Sequence, residues 1–206
     1  MPEAQEKYSQ QEETPRAERT ERKKIIVDIG AGYGSFASLP QTRKFKKNEI
    51  YIGIEPDPQR AEALKSSAKD VGDGTMFTIR ALGEKIPLDT QSTDEVIIKD
   101  VLGDPKVVNW FAEKEENELQ HAVEGLAKES FRILKSGGKT IVIESYTPYS
   151  YPKEVIKLFE NNGFTLSKYF HGRDNREADN ELKKFMPSSS IHASTYLLEF
   201  FKPEQK

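Results

Sequence analysis

The sequence predicts a doubly wound α/β fold with a mostly parallel, seven-stranded sheet. Short apolar runs alternate with helix-like stretches, which is typical of βαβ units with parallel strands. The first apolar run leads directly into a glycine-rich loop, and the second ends on an acidic residue. In doubly wound folds this combination accompanies a nucleotide-like ligand at the carboxyl ends of the strands.

Seven apolar runs are short and rich in β-branched or aromatic residues, which favours strands. These runs are residues 25–29, 51–54, 76–79, 95–98, 139–143, 164–170 and 195–201. The spacing of apolar side chains predicts helices over residues 58–69, 116–134 and 154–160. No helix of comparable strength is predicted between the last two strands, so we expect the final strand to run antiparallel. Pro40 lies where a helix should follow the first strand, which predicts a short or kinked helix there.

Composition indicates one domain with a tail. The chain has 206 residues, of which 31 are basic, 34 are acidic and none is cysteine. Residues 1–24 are densely charged and nearly devoid of apolar side chains, which predicts a disordered tail before a domain over residues 25–206. The alternative is a segment that folds over an active site or onto a partner. The absence of cysteine excludes disulfides, thiolate zinc sites and cysteine nucleophiles.

The class of protein is narrowed further by hydropathy and charge. No apolar run approaches the roughly 18 residues of a membrane span, and the N-terminus lacks the pattern of a signal peptide. We therefore expect a soluble, cytoplasmic protein that does not enter membranes. A net charge of -3 does not indicate a general nucleic-acid binder. No metal site is predicted, and the oligomeric state is left open.

The segment from Asp28 to Gly34 follows the first predicted strand and contains three glycines, at positions 30, 32 and 34. Glycines allow a sharp turn and let a ligand approach the main chain closely. Glu55 follows Gly34 by 21 residues, the distance at which an acid accepts hydrogen bonds from ribose hydroxyls in doubly wound folds. Asp28 would repel a pyrophosphate, and it suits a ligand that carries an ammonium or sulfonium cation. The glycine spacing also permits NAD, so an NAD-dependent oxidoreductase stays open as an alternative.

Three blocks of sequence, taken together, resemble a known family. They are Asp28-x-Gly30-x-Gly32-x-Gly34, then Gly53-Ile54-Glu55, then the segment from Phe131 to Gly138 before a strand. In this order and spacing they resemble the motif series of the class I S-adenosylmethionine-dependent methyltransferases, over residues 25–144. The resemblance implies S-adenosylmethionine as cofactor and a seven-stranded sheet whose last strand is antiparallel. Gly137 and Gly138 are expected to form the turn between helix and strand.

The resemblance also implies residue roles around the methionine and ribose parts of the cofactor. Gly30 and Gly32, with Gly34 completing the loop, would pass under the methionine part. Asp28 would sit near its amino group, and Glu55 would hold the ribose hydroxyls.

Further implied contacts surround the adenine and the reacting methyl group. Pro56 and Asp57 would lie beside the adenine, and the loop containing Gly83 and Glu84 would flank it. Many relatives carry an acid where this chain has Leu82, so that contact would need a substitute such as Glu84 or a backbone carbonyl. Asp100, after the fourth strand, would face both cofactor and substrate.

Methyl transfer from a sulfonium demands positioning more than a strong catalytic motif. Asp100 is the predicted catalytic residue, and Glu144, Tyr146 and His171 are further candidate bases or substrate contacts at strand ends. Tyr146 and Trp110 are the predicted substrate contacts. The alternatives are that Asp100 only caps a helix and that Trp110, with the neighbouring Phe111, only anchors one.

The acceptor is not identified by the sequence. Charge favours a small molecule slightly over RNA or protein. The polar segment over residues 172–190 is a candidate substrate lid, because long loops are often functional. A different class of function is also open, namely a non-catalytic, cofactor-binding scaffold for a partner protein.

Overall fold

The computed structural model describes residues 22–33, 45–66, 74–102, 116–145, 151–172, 176–186 and 188–204. The predicted helix near Pro40 and the predicted tail up to residue 21 lie outside these ranges. Seven strands form one sheet in the order β3-β2-β1-β4-β5-β7-β6. They are β1 Lys24–Ile29, β2 Glu49–Ile54, β3 Thr75–Ile79, β4 Thr93–Lys99, β5 Leu134–Ser145, β6 Thr165–His171 and β7 Thr195–Phe201.

Strand directions confirm the predicted fold class. β1, β2, β3, β4 and β5 pair in parallel, and β7 pairs antiparallel with both β5 and β6. The predicted bounds of β7 agree with the structure, and those of β1 differ by one residue because the strand already begins at Lys24.

The described helices are α1 Pro58–Ser66, α2 Glu116–Ile133, α3 Pro152–Asn161 and α4 Arg176–Leu182, with a short 3-10 turn at Ser188–Ser190. None of the helices within the described ranges is long and apolar enough to cross a membrane. Alternation along each strand divides the buried side chains between the two faces of the sheet. On one face Val27, Ile29 and Ile98 pack with Leu126 of α2 and Phe159 of α3.

The other face holds Ile26, Tyr51, Ile97 and Ile141, together with Leu182 at the end of α4. Apolar side chains therefore cover both faces, as expected for a mainly parallel sheet.

The structure corrects the prediction that residues 172–190 form a polar loop. α4 lies inside this segment, and Ala178, Leu182, Phe185 and Met186 are buried against the sheet. The helix escaped prediction because Arg176–Leu182 is short, and its buried stripe consists only of Ala178 and Leu182. These buried contacts belong to the core of the domain, so the described part of the segment is a packed helix and not an extended loop, and its role as a substrate lid stays a prediction.

The predicted turn at Gly137 and Gly138 also differs from the structure. Both residues lie within β5, where the register with β4 shifts between the pairs Thr93–Leu134 and Glu95–Lys139. Gly137 has a φ of 74°, and its amide donates to the carbonyl of Lys202. The glycines thus form an irregular start to the strand and not a separate turn.

The end of α2 is closed by a buried lysine. The ammonium of Lys202 donates to the carbonyls of Phe131 and Leu134, at 2.8 Å each, and lies 4.4 Å from the centre of the Phe131 ring. Carbonyls at a helix C-terminus lack partners within the helix, and a cation there is favourable.

We expect Lys202→Met to lower the free energy of unfolding by about 1–3 kcal/mol, because two buried carbonyls lose a charged donor. Chemical denaturation measures the effect. The matched control is Lys128→Met, on the exposed surface of α2, where the ion pair with Glu124 should contribute less than about 1 kcal/mol. Equal losses in the two variants would contradict the capping role of Lys202.

Candidate functional site

The candidate site lies where the direction of chain winding reverses. From β1 the chain continues to β2 and β3 on one side, whereas β4 lies on the other side of β1. The loops that leave the carboxyl ends of β1 and β4 therefore diverge, and open α/β sheets bind ligands in the crevice between such loops. Gly30 follows β1 and Asp100 follows β4, so both flank this crevice.

The turn after β1 depends on two glycines with positive φ, Gly30 at 71° and Gly32 at 57°. The amides of Gly30 and Ala31 donate to the carbonyl of Ile54, which holds the turn against the end of β2. A Cβ on Gly30 would lie 2.5 Å from Cγ2 of Val101, whereas a Cβ on Gly32 would meet, among the described residues, only the carbonyl of Gly30, at 3.9 Å. Gly30 is therefore required for packing, whereas the described residues leave space beside the backbone of Gly32.

Asp28 is a buried carboxylate at the end of β1, only 2% exposed. It accepts a hydrogen bond from the hydroxyl of Tyr51 on the neighbouring strand β2. Burial raises the pKa of Asp28 to about 7, while the Tyr51 hydrogen bond and the positive charge of Lys99 counteract part of that rise. The pKa of the Tyr51 hydroxyl is raised as well, mainly by burial and further by the charge of Asp28 and the hydrogen bond to it. A positively charged ligand beside Asp28 would therefore favour its ionised form.

Lys99 and Asp100 form an ion pair at the end of β4. Nζ of Lys99 lies 2.9 Å from Oδ2 of Asp100, and the lysine side chain is 11% exposed, against 52% for the aspartate. Asp100 has a φ of 53°, and its amide donates to the carbonyl of Ile143 at 2.9 Å. A positive φ at a residue other than glycine is uncommon, and such backbone strain is concentrated at functional sites.

Glu55 is buried directly after β2 and accepts hydrogen bonds from two backbone amides. Its Oε2 accepts from Gly32 at 2.8 Å, and its Oε1 accepts from Asp57 at 2.9 Å. Glu55 thus connects the glycine turn to the loop that follows β2. Asp57 in turn caps α1, because its Oδ1 accepts from the amides of Gln59 and Arg60.

The loop after β3 is fixed by two charged side chains of α2. The guanidinium of Arg132 donates to the carbonyls of Ile86 and Leu88, and Glu129 accepts from the amide of Ile86 at 2.6 Å. The hydrogen bonds to Arg132 are the main cause that lowers the pKa of Glu129. Because both side chains hold the backbone, the loop has a defined path toward the crevice.

Gly83 and Glu84 occupy this loop, as does Leu82. A Cβ on Gly83 would lie 2.5 Å from Cγ2 of Ile29 at the end of β1, so only glycine fits there. Glu84 is exposed and lies over Gly125 of α2, where a Cβ on that glycine would be 3.1 Å from the Cβ of Glu84. Leu82 is 45% exposed.

Glu144 and His171, the further candidate bases, lie at different distances from the loop that carries Asp100. Glu144 is buried, and its Oε1 accepts from the amides of Val101 and Leu102 at 2.6 Å each, so it holds the loop after β4. His171 ends β6, which is separated from β4 by β5 and β7. At a strand spacing of about 4.8 Å, this places His171 roughly 14 Å from β4. The structure therefore brings Glu144 to the loop but leaves His171 outside the crevice.

Three predicted site residues, Gly34, Trp110 and Tyr146, lie outside the described residues. Tyr51 and Lys99, which both interact with Asp28, were not among the predicted site residues. The position of Lys99 could have been noticed from the sequence, because it is a charged residue at the end of an otherwise apolar strand. Within the described ranges, no group of three or more His, Asp or Glu side chains is arranged to hold a metal ion.

Comparison with known proteins then decides the family. A family model described as a methyltransferase domain matches residues 27–142, which is more than half of the chain. The chain belongs to this family. The matched residues run from the middle of β1 to β5 and so include Asp28, the glycine turn, Glu55 and Asp100.

Individual relatives are distant in sequence. An uncharacterized methyltransferase of Mycobacteroides abscessus is 27% identical over 153 residues, which are 73% of this chain and 48% of that protein. The chain thus spans about half the length of this curated relative.

Several solved structures have the same fold as this chain. An S-adenosylmethionine-dependent methyltransferase of Methanosarcina mazei has a TM-score of 0.59 at 14% identity, covering 89% of this chain and 94% of the other. A geranyl diphosphate C-methyltransferase of Streptomyces coelicolor, solved with S-adenosyl-L-homocysteine, has a TM-score of 0.58 at 14% identity, covering 88% and 74%. These similarities confirm the class I methyltransferase fold.

We expect Gly30→Ala to destabilise the domain more than Gly32→Ala. Both alanines would be strained by about 1–2 kcal/mol in the left-handed region, but only Gly30→Ala also overlaps Val101 and should lose about 1–3 kcal/mol more. Chemical denaturation of both variants measures the difference. Adding Val101→Ala should restore part of the loss in Gly30→Ala and none in Gly32→Ala. Equal losses would show that the close approach of the two loops is not maintained.

The buried Asp28 predicts a pH dependence of stability. Because its folded-state pKa of about 7 lies above the unfolded value, its contribution to stability is complete at low pH and is lost as pH rises through 7. Between pH 5.5 and 8.5, wild type should lose about 2 kcal/mol relative to Asp28→Asn, which cannot titrate there. Unfolding free energies at the two pH values test this. Parallel pH dependence in the two proteins would be the contradicting result.

Proposed function

We propose that this methyltransferase binds S-adenosylmethionine and transfers its methyl group in line to a small-molecule acceptor. The observation that carries the proposal is the buried carboxylate of Asp28 directly before the glycine turn, at the crevice between β1 and β4. A pyrophosphate would meet a buried carboxylate there and be repelled, whereas a ligand with an ammonium group would gain an ion pair. This favours a sulfonium cofactor over NAD.

The described residues fit such a cofactor. The space that the described residues leave beside Gly32 would admit a ligand against the backbone, and Asp28 is available to an ammonium group. Each carboxylate oxygen of Glu55 accepts one backbone amide, which leaves a second lone pair on each oxygen for a ribose hydroxyl. Pro56 and Asp57 follow Glu55 and are proposed to lie beside the adenine.

The loop after β3 supports the adenine side of the proposed site. Gly83 permits close packing of this loop against β1, and Glu84 is the proposed substitute for the acid that is absent at Leu82. Arg132 and Glu129 of α2 are hydrogen-bonded to the backbone of this loop. The loop is therefore ordered in advance, and a ligand would lose less free energy in ordering it.

The chain's contribution to the reaction is positional. When bound, S-adenosylmethionine supplies a methyl group that is already activated by its sulfonium. Asp100 stands at the rim of the crevice and is proposed to orient the acceptor and to take up its proton. Glu144 holds the loop that carries Asp100, since it binds the amides of the next two residues. Trp110, Tyr146 and Gly34 remain proposed contacts to substrate and cofactor.

Charge supports a small-molecule acceptor. At the described edge of the crevice the carboxyl groups of Asp28, Glu55 and Asp100 outnumber the ammonium of Lys99, and the whole chain carries a net charge of -3. Nucleic acids bind mainly through basic side chains that neutralise phosphates. An acidic edge therefore disfavours RNA as the acceptor.

Calorimetric titration with S-adenosylhomocysteine, with NAD as the control ligand, tests the cofactor. We expect saturable binding of the first ligand alone. Binding at pH 6 should release protons, because a ligand ammonium favours the ionised form of Asp28, and this release should vanish in Asp28→Asn. Heats measured in buffers of different ionisation enthalpy quantify the protons.

Each outcome of this titration is informative. Binding of NAD alone would overturn the proposal. S-Adenosylhomocysteine binding without proton release would keep the cofactor and remove Asp28 from its ammonium. If S-adenosylhomocysteine binds but no acceptor in a broad screen is methylated, the non-catalytic, cofactor-binding scaffold would be favoured over the enzyme.

A further inference from the structure

Lys99 is a largely buried cation at the end of β4, beside the crevice. Its ammonium pairs with Asp100 at 2.9 Å, and its charge acts on Asp28 across the β1–β4 pair. It ends β4, one residue beyond Ile98, which pairs with Ile29 of β1. The proposed methyl transfer uses Asp28 and Asp100 but assigns nothing to this lysine.

The chemistry of Lys99 is matched to an anion. An ammonium has three donors, and the contact with Asp100 uses one of them. Burial of a long cationic side chain costs free energy unless its charge is compensated, so a second anionic partner would be favoured at this position.

The cofactor proposed above ends in an amino acid, which carries an ammonium and a carboxylate together. Asp28 suits the ammonium, and a cation close by would suit the carboxylate. In the part of the chain that the structure describes, Arg80 and Lys85 follow β3, which is separated from β4 by β2 and β1, and Arg60 of α1 lies over the ring of Tyr33, 5.6 Å from its centre. Lys99 lies on β4, next to Asp28.

We propose that Lys99 binds the carboxylate of the cofactor's amino-acid end while Asp28 binds its ammonium, so that the two side chains recognise a zwitterion. This inference rests on the proposed function and specifies which part of the cofactor this site recognises. It also gives the ion pair with Asp100 a role, because Asp100 holds the lysine in the crevice before the ligand arrives.

The test compares two ligands in a set of variants. The ligands are S-adenosylhomocysteine and its decarboxylated analogue S-adenosyl-3-thiopropylamine, which lacks only the carboxylate. Calorimetry gives both dissociation constants for wild type, Lys99→Met, Lys99→Gln and Lys99→Arg. Lys128→Met removes the same charge from the exposed surface of α2 and serves as the matched control.

We expect wild type to prefer S-adenosylhomocysteine by about tenfold or more, the effect of a hydrogen bond between charged groups. Lys99→Met and Lys99→Gln should bind the two ligands within about twofold of each other, and Lys99→Arg should keep most of the preference because it keeps the charge. Lys128→Met should behave as wild type. Since the readout is the ratio of two affinities in one protein, a general loss of stability does not imitate the result.

Several outcomes would overturn the inference. Wild type that binds both ligands equally shows that the carboxylate is not recognised. Neutral Lys99 variants that keep the wild-type preference show that another group recognises it. If Lys99→Met does not fold, Lys99→Gln decides by the same criterion. A failure of the proposed function is distinguishable, because wild type would then bind neither ligand.

Discussion

The burial of the Asp28 carboxylate is the constraint on which the described edge of the sheet depends. Removing a charge from water costs several kcal/mol in a protein interior unless partners compensate it. Tyr51 supplies a hydrogen bond from β2, and Lys99 supplies a positive charge from β4. Asp28 therefore draws its partners from both neighbouring strands, and the three strands must keep their register for the carboxylate to stay buried.

Two other buried carboxylates order the loops around this centre. Glu55 binds amides of the turn after β1 and the loop after β2, and Glu144 binds two amides of the loop after β4. Loop amides have no partner in a strand or helix, so a buried acceptor both satisfies them and fixes the path of the chain. The crevice is thus largely organised before any ligand binds, which lowers the entropic cost of binding.

Much of this fold could be predicted from the chain because its signals are local. The alternation of strands and helices, the glycine spacing and the position of Glu55 are all visible along the sequence. The partners of Asp28 are not local. In the β1–β2 pair Asp28 lies opposite Gly53, and Tyr51 lies two residues before Gly53, opposite Ile26. The Tyr51 hydroxyl can therefore reach the Asp28 carboxylate, but no short sequence motif specifies this register.

The errors have physical reasons of the same kind. α4 was missed because its seven residues are mostly polar and only Ala178 and Leu182 supply the buried stripe. Gly137 was assigned to a turn because glycine pairs usually form one, yet its amide pairs with the carbonyl of Lys202 beyond β7. Both cases depend on tertiary contacts that outweigh local preference.

The arrangement of charge bears on how one crevice would serve both the proposed cofactor and the proposed acceptor. Asp28 is buried and its pKa is raised to about 7, whereas Asp100 lies at the rim, half exposed and paired with Lys99. The positive charge of Lys99 also acts on Asp28, so one cation serves both carboxylates. A zwitterionic cofactor end, as proposed, would bring an ammonium to Asp28 and a carboxylate to Lys99. The ammonium would replace the charge that Lys99 supplies to Asp28, and the carboxylate would share the lysine with Asp100. The balance of charge in the crevice would therefore be kept when such a ligand binds, because each of its two charges meets an opposite one on an adjacent strand.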